Sequence, residues 1–389
     1  MSKSALVFGA SGVTGWSFIN EILHDYPQPN IWKRVHALTN RPLSQEQSQW
    51  PNDPRLNIVS GIDLLKGSQE ELENTIKEKI PDVNEVTHVY YLAYKAGTDV
   101  QKELEEAVAM FKRSTLAIDH LSEKLEFIVL QTGAKMYGCH LLENHPTDYL
   151  QVPHKESQPR LKQPYHDLLF YHPQLDWIAK YAQDKKWSWV DTRPDIIIGF
   201  VPNQNFYSLG TVMGIYLSLW KEVNGEASDC PFPGTEKSWN ALSNDSSSDM
   251  IARQTLYLSL NPDKVEKGSG YNVADAQAPS SWSKKWPALC SYFGLKGTGP
   301  TPNPPEMRKF IKDNIAVWKS LEREKGLQTG HADSPRTFPG FEYFLMTQFD
   351  FDRQYDMSNM YGTGFSEERG TLEAWGLVFD RMRKARVIP

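Results

Sequence analysis

At 389 residues the chain exceeds one minimal domain, so one core with a substantial appended lobe is expected. Hydrophobic residues make up 40% of it and 12 are Trp, which supports a sizeable core with aromatic-lined surfaces. A net charge of −6 with no basic tract argues against nucleic-acid binding, and no apolar run reaches the roughly 18 residues of a membrane span.

Residues 5–8 form a short apolar run ending at Gly9, the pattern of a buried parallel strand. A helix follows over 14–25, with Trp16, Phe18, Ile19, Ile22 and Leu23 on its apolar side. Further strands are expected at about 34–39, 56–60, 86–91 and 126–131, with helices at 68–80 and 100–122 between them. A helix over 173–186 and a strand over 188–193 extend the alternation. Strands alternating with helices at this spacing predict a parallel sheet with crossover connections. Beyond residue 200 the rhythm breaks: 225–248 and 296–306 read as loops, and helices fit 207–222, 249–260, 281–293, 305–325 and 366–385. The expected fold is α/β, a Rossmann-type doubly wound parallel sheet with a smaller, mostly helical C-terminal substrate lobe. The nucleotide domain would span 1–200; the lobe would span 201–389 and partly return to that domain. Loops 138–170 and 335–365 are long enough to wall a pocket.

The run Gly9-Ala10-Ser11-Gly12-Val13-Thr14-Gly15 is a GxxGxxG pattern between the first strand and the first helix. Glycines there permit a tight turn, and backbone N–H groups at the helix start can approach a pyrophosphate. After the second strand come Asn40, Arg41 and Pro42, with no acidic residue to hold ribose hydroxyls. Arg41 is therefore a candidate clamp for a 2′-phosphate, which favours NADPH/NADP+ over NADH. Asp63 sits where such folds meet an adenine ring, with an N-cap of the next helix as the plainer role. Ala93, at the end of the fourth strand, is small where a ligand would pass; Tyr94 either lines the pocket or packs.

Short-chain dehydrogenases normally pair a catalytic Tyr with a Lys one helical turn later. Here Tyr171 is followed at that spacing by Leu175, so a lysine must come from elsewhere. Lys135, just after Thr132 and Gly133, stands at the carboxyl edge of the sheet, where open α/β sheets bind ligands. A lysine there can hold the nicotinamide ribose and, by its charge, lower the pKa of a nearby phenol. A phenol at Tyr171 can donate to a substrate carbonyl and stabilise the oxyanion that forms.

Several runs resemble the progesterone 5β-reductase/iridoid synthase-like family of atypical short-chain dehydrogenases. They are Gly9 to Gly15, Thr39-Asn40-Arg41-Pro42, Thr87 to Tyr91, Leu130-Gln131-Thr132-Gly133 with Lys135 and Tyr137, and Pro159-Arg160-Leu161. Phe170-Tyr171, Arg193-Pro194 with Ile198-Gly199-Phe200, Phe232-Pro233-Gly234 and the closing Val387-Ile388-Pro389 complete a nearly full-length match. The resemblance implies NADPH-dependent 1,4-reduction of an activated C=C in an enone or enal of secondary metabolism. In that reading Tyr171 steadies the enolate oxygen with support from Lys135. Cofactor contacts would come from Gly9, Ser11, Gly12, Val13, Thr14, Gly15, Asn40, Arg41, Pro42, Asp63, Ala93, Thr132, Lys135 and Ile198.

The family usually has a second Tyr after the catalytic one, followed by an acidic pair; this chain has His172-Pro173-Gln174-Leu175-Asp176, and the segment around Leu141 to Tyr149 is longer. Both changes touch the pocket wall. Candidate lining residues are Tyr94, His172, Phe206, Met213, Tyr216 and Phe344, an aromatic set suited to a hydrophobic small molecule. Core packing is the competing role for most of them, and an orienting or packed imidazole competes with a proton donor at His172. Carbonyl reduction, non-redox isomerisation or cyclisation, and NADP sensing are the rival functions.

The three cysteines, Cys139, Cys230 and Cys290, show no CxxC spacing and read as buried thiols of a reducing compartment. The 10 His have no metal-ligand spacing, so no metal is expected. A strand within the first few residues predicts no secretory leader, and the cytoplasm is the expected location. The exposed helices leave room for a homodimer, although no coiled-coil heptad specifies one.

Overall fold

The computed structural model describes residues 2–142, 151–202, 208–335, 337 and 340–389. Seven strands build the central sheet: β1 Lys3–Phe8, β2 Trp32–Thr39, β3 Leu56–Ser60, β4 His88–Tyr91, β5 Phe127–Gln131, β6 Ser188–Pro194 and β7 Gly270–Val273. Their spatial order is β7-β6-β5-β4-β1-β2-β3, every pair parallel. Both faces are covered, so the central strands are apolar on both sides: Ala5, Leu6 and Val7 are fully buried, as are Ile128 and Val129.

The order reverses between β1 and β4, whose ends meet at Phe8 and Tyr91. Such a reversal opens a crevice at the carboxyl edge, because the connections leave in opposite directions. Right-handed crossovers then put the helices that precede the reversal and those that follow it on opposite faces. Helix α1 (Val13–Leu23) is buried all round because α6 (Ser248–Leu260) packs outside it. On the other face lie α2 (Gln69–Lys79), α3 (Val100–Leu121) and α4 (Tyr171–Tyr181), each packed on the next. Starts are set locally: Ser68 and Glu71 form a capping box on α2, and the Asp99 carboxylate accepts from the Lys102 N–H on α3 at 3.0 Å.

The C-terminal lobe gathers α5 (Leu209–Asn224), α7 (Trp282–Tyr292), α8 (Met307–Asp313), α9 (Ile315–Lys325) and α10 (Thr371–Lys384). A small parallel pair, Asp229–Pro231 with Lys296–Thr298, braces it. The stretch expected as one helix over 305–325 is two, broken at Asn314, whose side-chain amide donates to the Phe310 carbonyl at 2.9 Å and competes with the backbone ladder. Between these parts the chain returns to the sheet through α6 and β7. Strand β7 was absent from the sequence expectation: Gly270 and Asn272 interrupt any apolar run, and it lies at the sheet edge. Among the described residues no helix is long and apolar enough to cross a membrane.

Candidate active site

The glycine loop fills the crevice between β1 and β4. Gly9 has φ +83°, and a Cβ there would stand 2.7 Å from the Leu92 carbonyl oxygen and 2.8 Å from Ala93. Only glycine meets both demands, so the two strand exits can touch. The Gly12 N–H donates to the Gly9 carbonyl at 2.9 Å and closes the turn. Helix α1 then begins with no side-chain cap and no acidic residue in its first turn. Its first N–H groups, together with the helix dipole, fit an anionic pyrophosphate.

The residues around the loop divide by role. Thr14 is buried and its hydroxyl accepts from the Gln131 amide at 3.3 Å, tying the helix start to β5. Ser11 is half-buried, and Val13 packs where a Cβ on Gly199 would fall. Ile198 is fully buried and pairs with Ser247, so its side chain belongs to the core beneath the loop and not to the cleft surface. After β2, the Thr39 hydroxyl donates to the Arg41 carbonyl at 2.7 Å, and Asn40, Arg41 and Pro42 are exposed. Among the described residues the Arg41 guanidinium has no partner, which leaves its donors open to a phosphate. Asp63 accepts from the Leu65 N–H at 3.0 Å, whereas Ser68 caps α2. It is therefore a turn residue facing the end of β2, where the Ile62 N–H donates to Thr39.

Beyond β5 the chain is held from below. The Thr132 N–H donates to the Thr192 carbonyl at 2.8 Å, and the Thr132 hydroxyl donates to Asp191 at 2.9 Å. Asp191 in turn binds Arg193 at 2.7 Å in a buried ion pair. Gly133 follows, and a Cβ on it would lie 3.2 Å from the Pro194 carbonyl and 3.6 Å from the Tyr171 hydroxyl. A short turn, Ala134–Tyr137, then carries Lys135. Tyr171 is the first residue of α4, and its hydroxyl donates to the Thr132 carbonyl at 3.1 Å.

Lys135 and Tyr171 share an aromatic frame. The Lys135 ammonium lies 6.0 Å from the centre of the Tyr94 ring and 5.9 Å from that of Phe170. Those two rings stack at 5.6 Å, and Phe170 meets Tyr171 edge-on at 4.7 Å. Among the described residues the ammonium has no hydrogen-bond or ion-pair partner. Burial lowers the Lys135 pKa, and the charge of Glu103 opposes that. An ammonium held without partners beside the crevice fits the hydroxyls of a nicotinamide ribose. Among the described residues, the glycine turn, the bare helix start, and an arginine and a lysine without hydrogen-bond partners together fit a dinucleotide.

Two imidazoles sit close by. His172 is fully buried, stacks on His166 at 4.5 Å, and has no partner among the described residues for either ring nitrogen. Burial, then the charges of Arg160 and His166, pull its pKa down to about 4, so it is neutral at pH 7. His140 is likewise pulled to about 4 by burial and by the charge of Lys135.

The lining residues fare unevenly. Tyr94 and Phe344 are exposed, at 40% and 44%. Met213 and Tyr216 are fully buried on α5, where Tyr216 packs against Trp220, Trp286 and Phe310. They build the lobe's core and do not line the cleft; α5 is apolar all round, so periodicity could not separate the two roles. His172 is packed in the same sense. Phe206, and most of the long segment after Leu141, lie outside the described residues. A cavity of about 520 Å³ is lined in part by Met136, Leu175, Trp189 and Arg193, and by none of the glycine-turn residues.

Sequence reasoning missed two partnerships. Tyr137 donates to the Asn272 side chain at 2.5 Å and stacks on His154 at 4.7 Å, so it is a strut for the Lys135 turn. Glu103 accepts from the Tyr94 hydroxyl and, at 3.4 Å, from the Gly97 N–H. Its place in a charged helical run carries no signal of its own.

A family model described as a PRISE-like Rossmann-fold domain matches residues 5–389. The chain is similar to a short chain dehydrogenase of Aspergillus calidoustus, 35% identical and covering 100% of this chain and 95% of that protein. It is also similar to an (S)-8-oxocitronellyl enol synthase of Camptotheca acuminata, 25% identical over 99% of this chain and 93% of that protein. In fold it is similar to the UDP-glucose 4-epimerase of Thermus thermophilus, solved in complex with NAD, with a TM-score of 0.58, 15% identity, and coverage of 98% and 99%. Glycine turn, the loops that carry Lys135 and Tyr171, and the full-length match agree: the chain belongs to the family of PRISE-like Rossmann-fold proteins.

Proposed function

We propose that the protein is an NADPH-dependent reductase that adds hydrogen across a C=C bond conjugated to the carbonyl of a hydrophobic small molecule. The observation that carries this reading is the pairing of the Tyr171 hydroxyl with Lys135 through Phe170, at the edge of the sheet that holds the glycine loop. The backbone N–H groups from Gly9 to Gly15 would hold the cofactor's pyrophosphate, Arg41 its 2′-phosphate, and Lys135 its ribose. Nicotinamide, when bound, supplies a hydride.

The protein's own part is electrostatic. Hydride arriving at the β-carbon pushes the π electrons onto the carbonyl oxygen, and a group donating to that oxygen lowers the barrier. Tyr171 is that donor: its O–H is already turned to a carbonyl, that of Thr132, and a substrate oxygen would compete for the same proton. The nearby ammonium stabilises the enolate and lowers the pKa of the phenol. The exposed Tyr94, whose ring lies beside Lys135, would offer apolar contact to the rest of the substrate. One relative is named an enol synthase: conjugate hydride addition leaves an enolate, a proton on its oxygen gives the enol, and ketonisation by proton uptake at the α-carbon with loss of the O–H proton gives the saturated carbonyl; this favours C=C over C=O reduction.

The test is loss of NADPH absorbance against short enones, terpenoid enals and a Δ4-3-ketosteroid, with Tyr171→Phe alongside. Conjugate reduction requires a product two hydrogens heavier with its carbonyl intact, and no product from the variant. An unchanged product mass would point to isomerisation instead. NADPH binding with no turnover anywhere in the panel would leave a sensor.

A further inference from the structure

Lys135 is a buried charge with no hydrogen-bond or ion-pair partner among the described residues. Its ammonium touches ring faces, and a buried cation so placed drifts toward its neutral form unless a fixed negative charge opposes the loss of water. The ionisable groups around it come from four segments. They are Glu103 on α3, Tyr94 at the exit of β4, Tyr171 beside Phe170 at the start of α4, and His140 beyond its own turn. His140 is held neutral, so among the described residues Glu103 is the one carboxylate in the set.

Glu103 is also fixed in place. It stands in the first turn of α3, and its two carboxylate oxygens accept from the Tyr94 hydroxyl and the Gly97 N–H. Tyr94 carries that anchoring inward: its ring stacks on Phe170, and both faces flank the Lys135 ammonium. Helix α3, the β4 exit and the catalytic loop are thereby joined by one carboxylate and two rings.

We infer that Glu103 is a positioning residue for Lys135: through Tyr94 it sets the aromatic face over which the ammonium lies, and its carboxylate is the negative charge that opposes the burial of that ammonium. The inference rests on the reductase reading for its purpose, since an ammonium held elsewhere would neither assist the phenol nor stabilise an enolate. Its geometry stands without that reading.

The test measures the protonation of Lys135 directly. The full chain is labelled with fluorodinitrobenzene across pH 6 to 11, and modification at Lys135 is read by peptide mass spectrometry. The expected result is a labelling midpoint lowered by about one pH unit in Glu103→Gln. Glu103→Asp should recover most of the shift. Tyr94→Phe keeps the charge but cuts the tether, and should move the midpoint the same way by less. Glu105→Gln, on the same helix and hydrogen-bonded to Gln101, should move nothing. An unchanged midpoint in Glu103→Gln with a wild-type circular dichroism spectrum overturns the inference. If that variant does not fold, an unchanged midpoint in Tyr94→Phe does so. No substrate is needed, so the two readings fail separately: a shift without enone consumption removes the reduction only, and consumption without a shift removes Glu103 only.

Discussion

The hydroxyl of Tyr171 donates to the carbonyl oxygen of Thr132 at 3.1 Å, so the start of α4 is tied to the loop that follows β5. This bond orients the phenol before any substrate arrives. Tyr171→Phe leaves the ring packed on Phe170 and removes only the donor. Turnover of a responsive enone should fall by about 10²–10³-fold, while NADPH affinity, followed by cofactor fluorescence, should stay within a few-fold. A variant retaining a tenth of the activity would take the oxyanion role away from Tyr171.

Arg41 should decide between the two nicotinamide cofactors. It is exposed and without a protein partner among the described residues, so replacing it disturbs no packing. A charge-assisted bond contributes about 1.5–3 kcal/mol, and Arg41→Ala should therefore weaken NADPH about ten- to a hundredfold with little change for NADH. Titration calorimetry with both cofactors checks it, and equal loss for the two would refute the phosphate contact.

Gly9→Ala tests the cradle itself. The added methyl group meets the Leu92 carbonyl at 2.7 Å, and alanine at φ +83° is strained. A loss of about 1–3 kcal/mol in urea unfolding is expected, together with weaker cofactor binding. Wild-type stability in this variant would mean that the β1 and β4 exits are not in contact.

Asp275 should make stability fall with rising pH. Burial and the charge of Asp245 raise its pKa from 3.8 to about 7 in the fold, against hydrogen bonds from Ser247. The folded state therefore holds a proton that the unfolded chain has released, and this contribution is complete below pH 4 and lost as pH climbs through 7. The span is at most about 4 kcal/mol. Asp275→Asn removes the titration, so its melting temperature should gain on wild type between pH 4 and pH 7. Parallel curves would falsify the buried, protonated carboxyl.

Much of this was legible in the sequence because it is written in local patterns. Apolar runs ending in Gly mark strands buried on both faces, and six of the seven strands of the sheet were expected within two residues of their ends. Lys135 and Tyr171 are candidates by place, each following or opening an element at the carboxyl edge, and the family resemblance is what singled them out. What escaped depends on distance in the chain. Strand β7 pairs with β6 from about 80 residues away, and its four residues have no pattern of their own. Met213 and Tyr216 looked like lining because a helix buried on every side shows apolar residues at every phase. Glu103 sits among Lys102, Glu105 and Glu106, where composition reads as a solvated face; only the fold singles out the carboxylate that meets Tyr94.

The strut from Tyr137 to Asn272 sets an order of events during synthesis. The glycine loop, the lysine and the phenol are all encoded before residue 175, yet the turn that carries the lysine leans on a strand residue made 135 residues later. A nascent chain leaving the ribosome thus presents its glycine loop first. The chemical loop settles only when β7 has emerged and docked beside β6. Reactive geometry comes last, once the second half of the chain has closed the edge of the first.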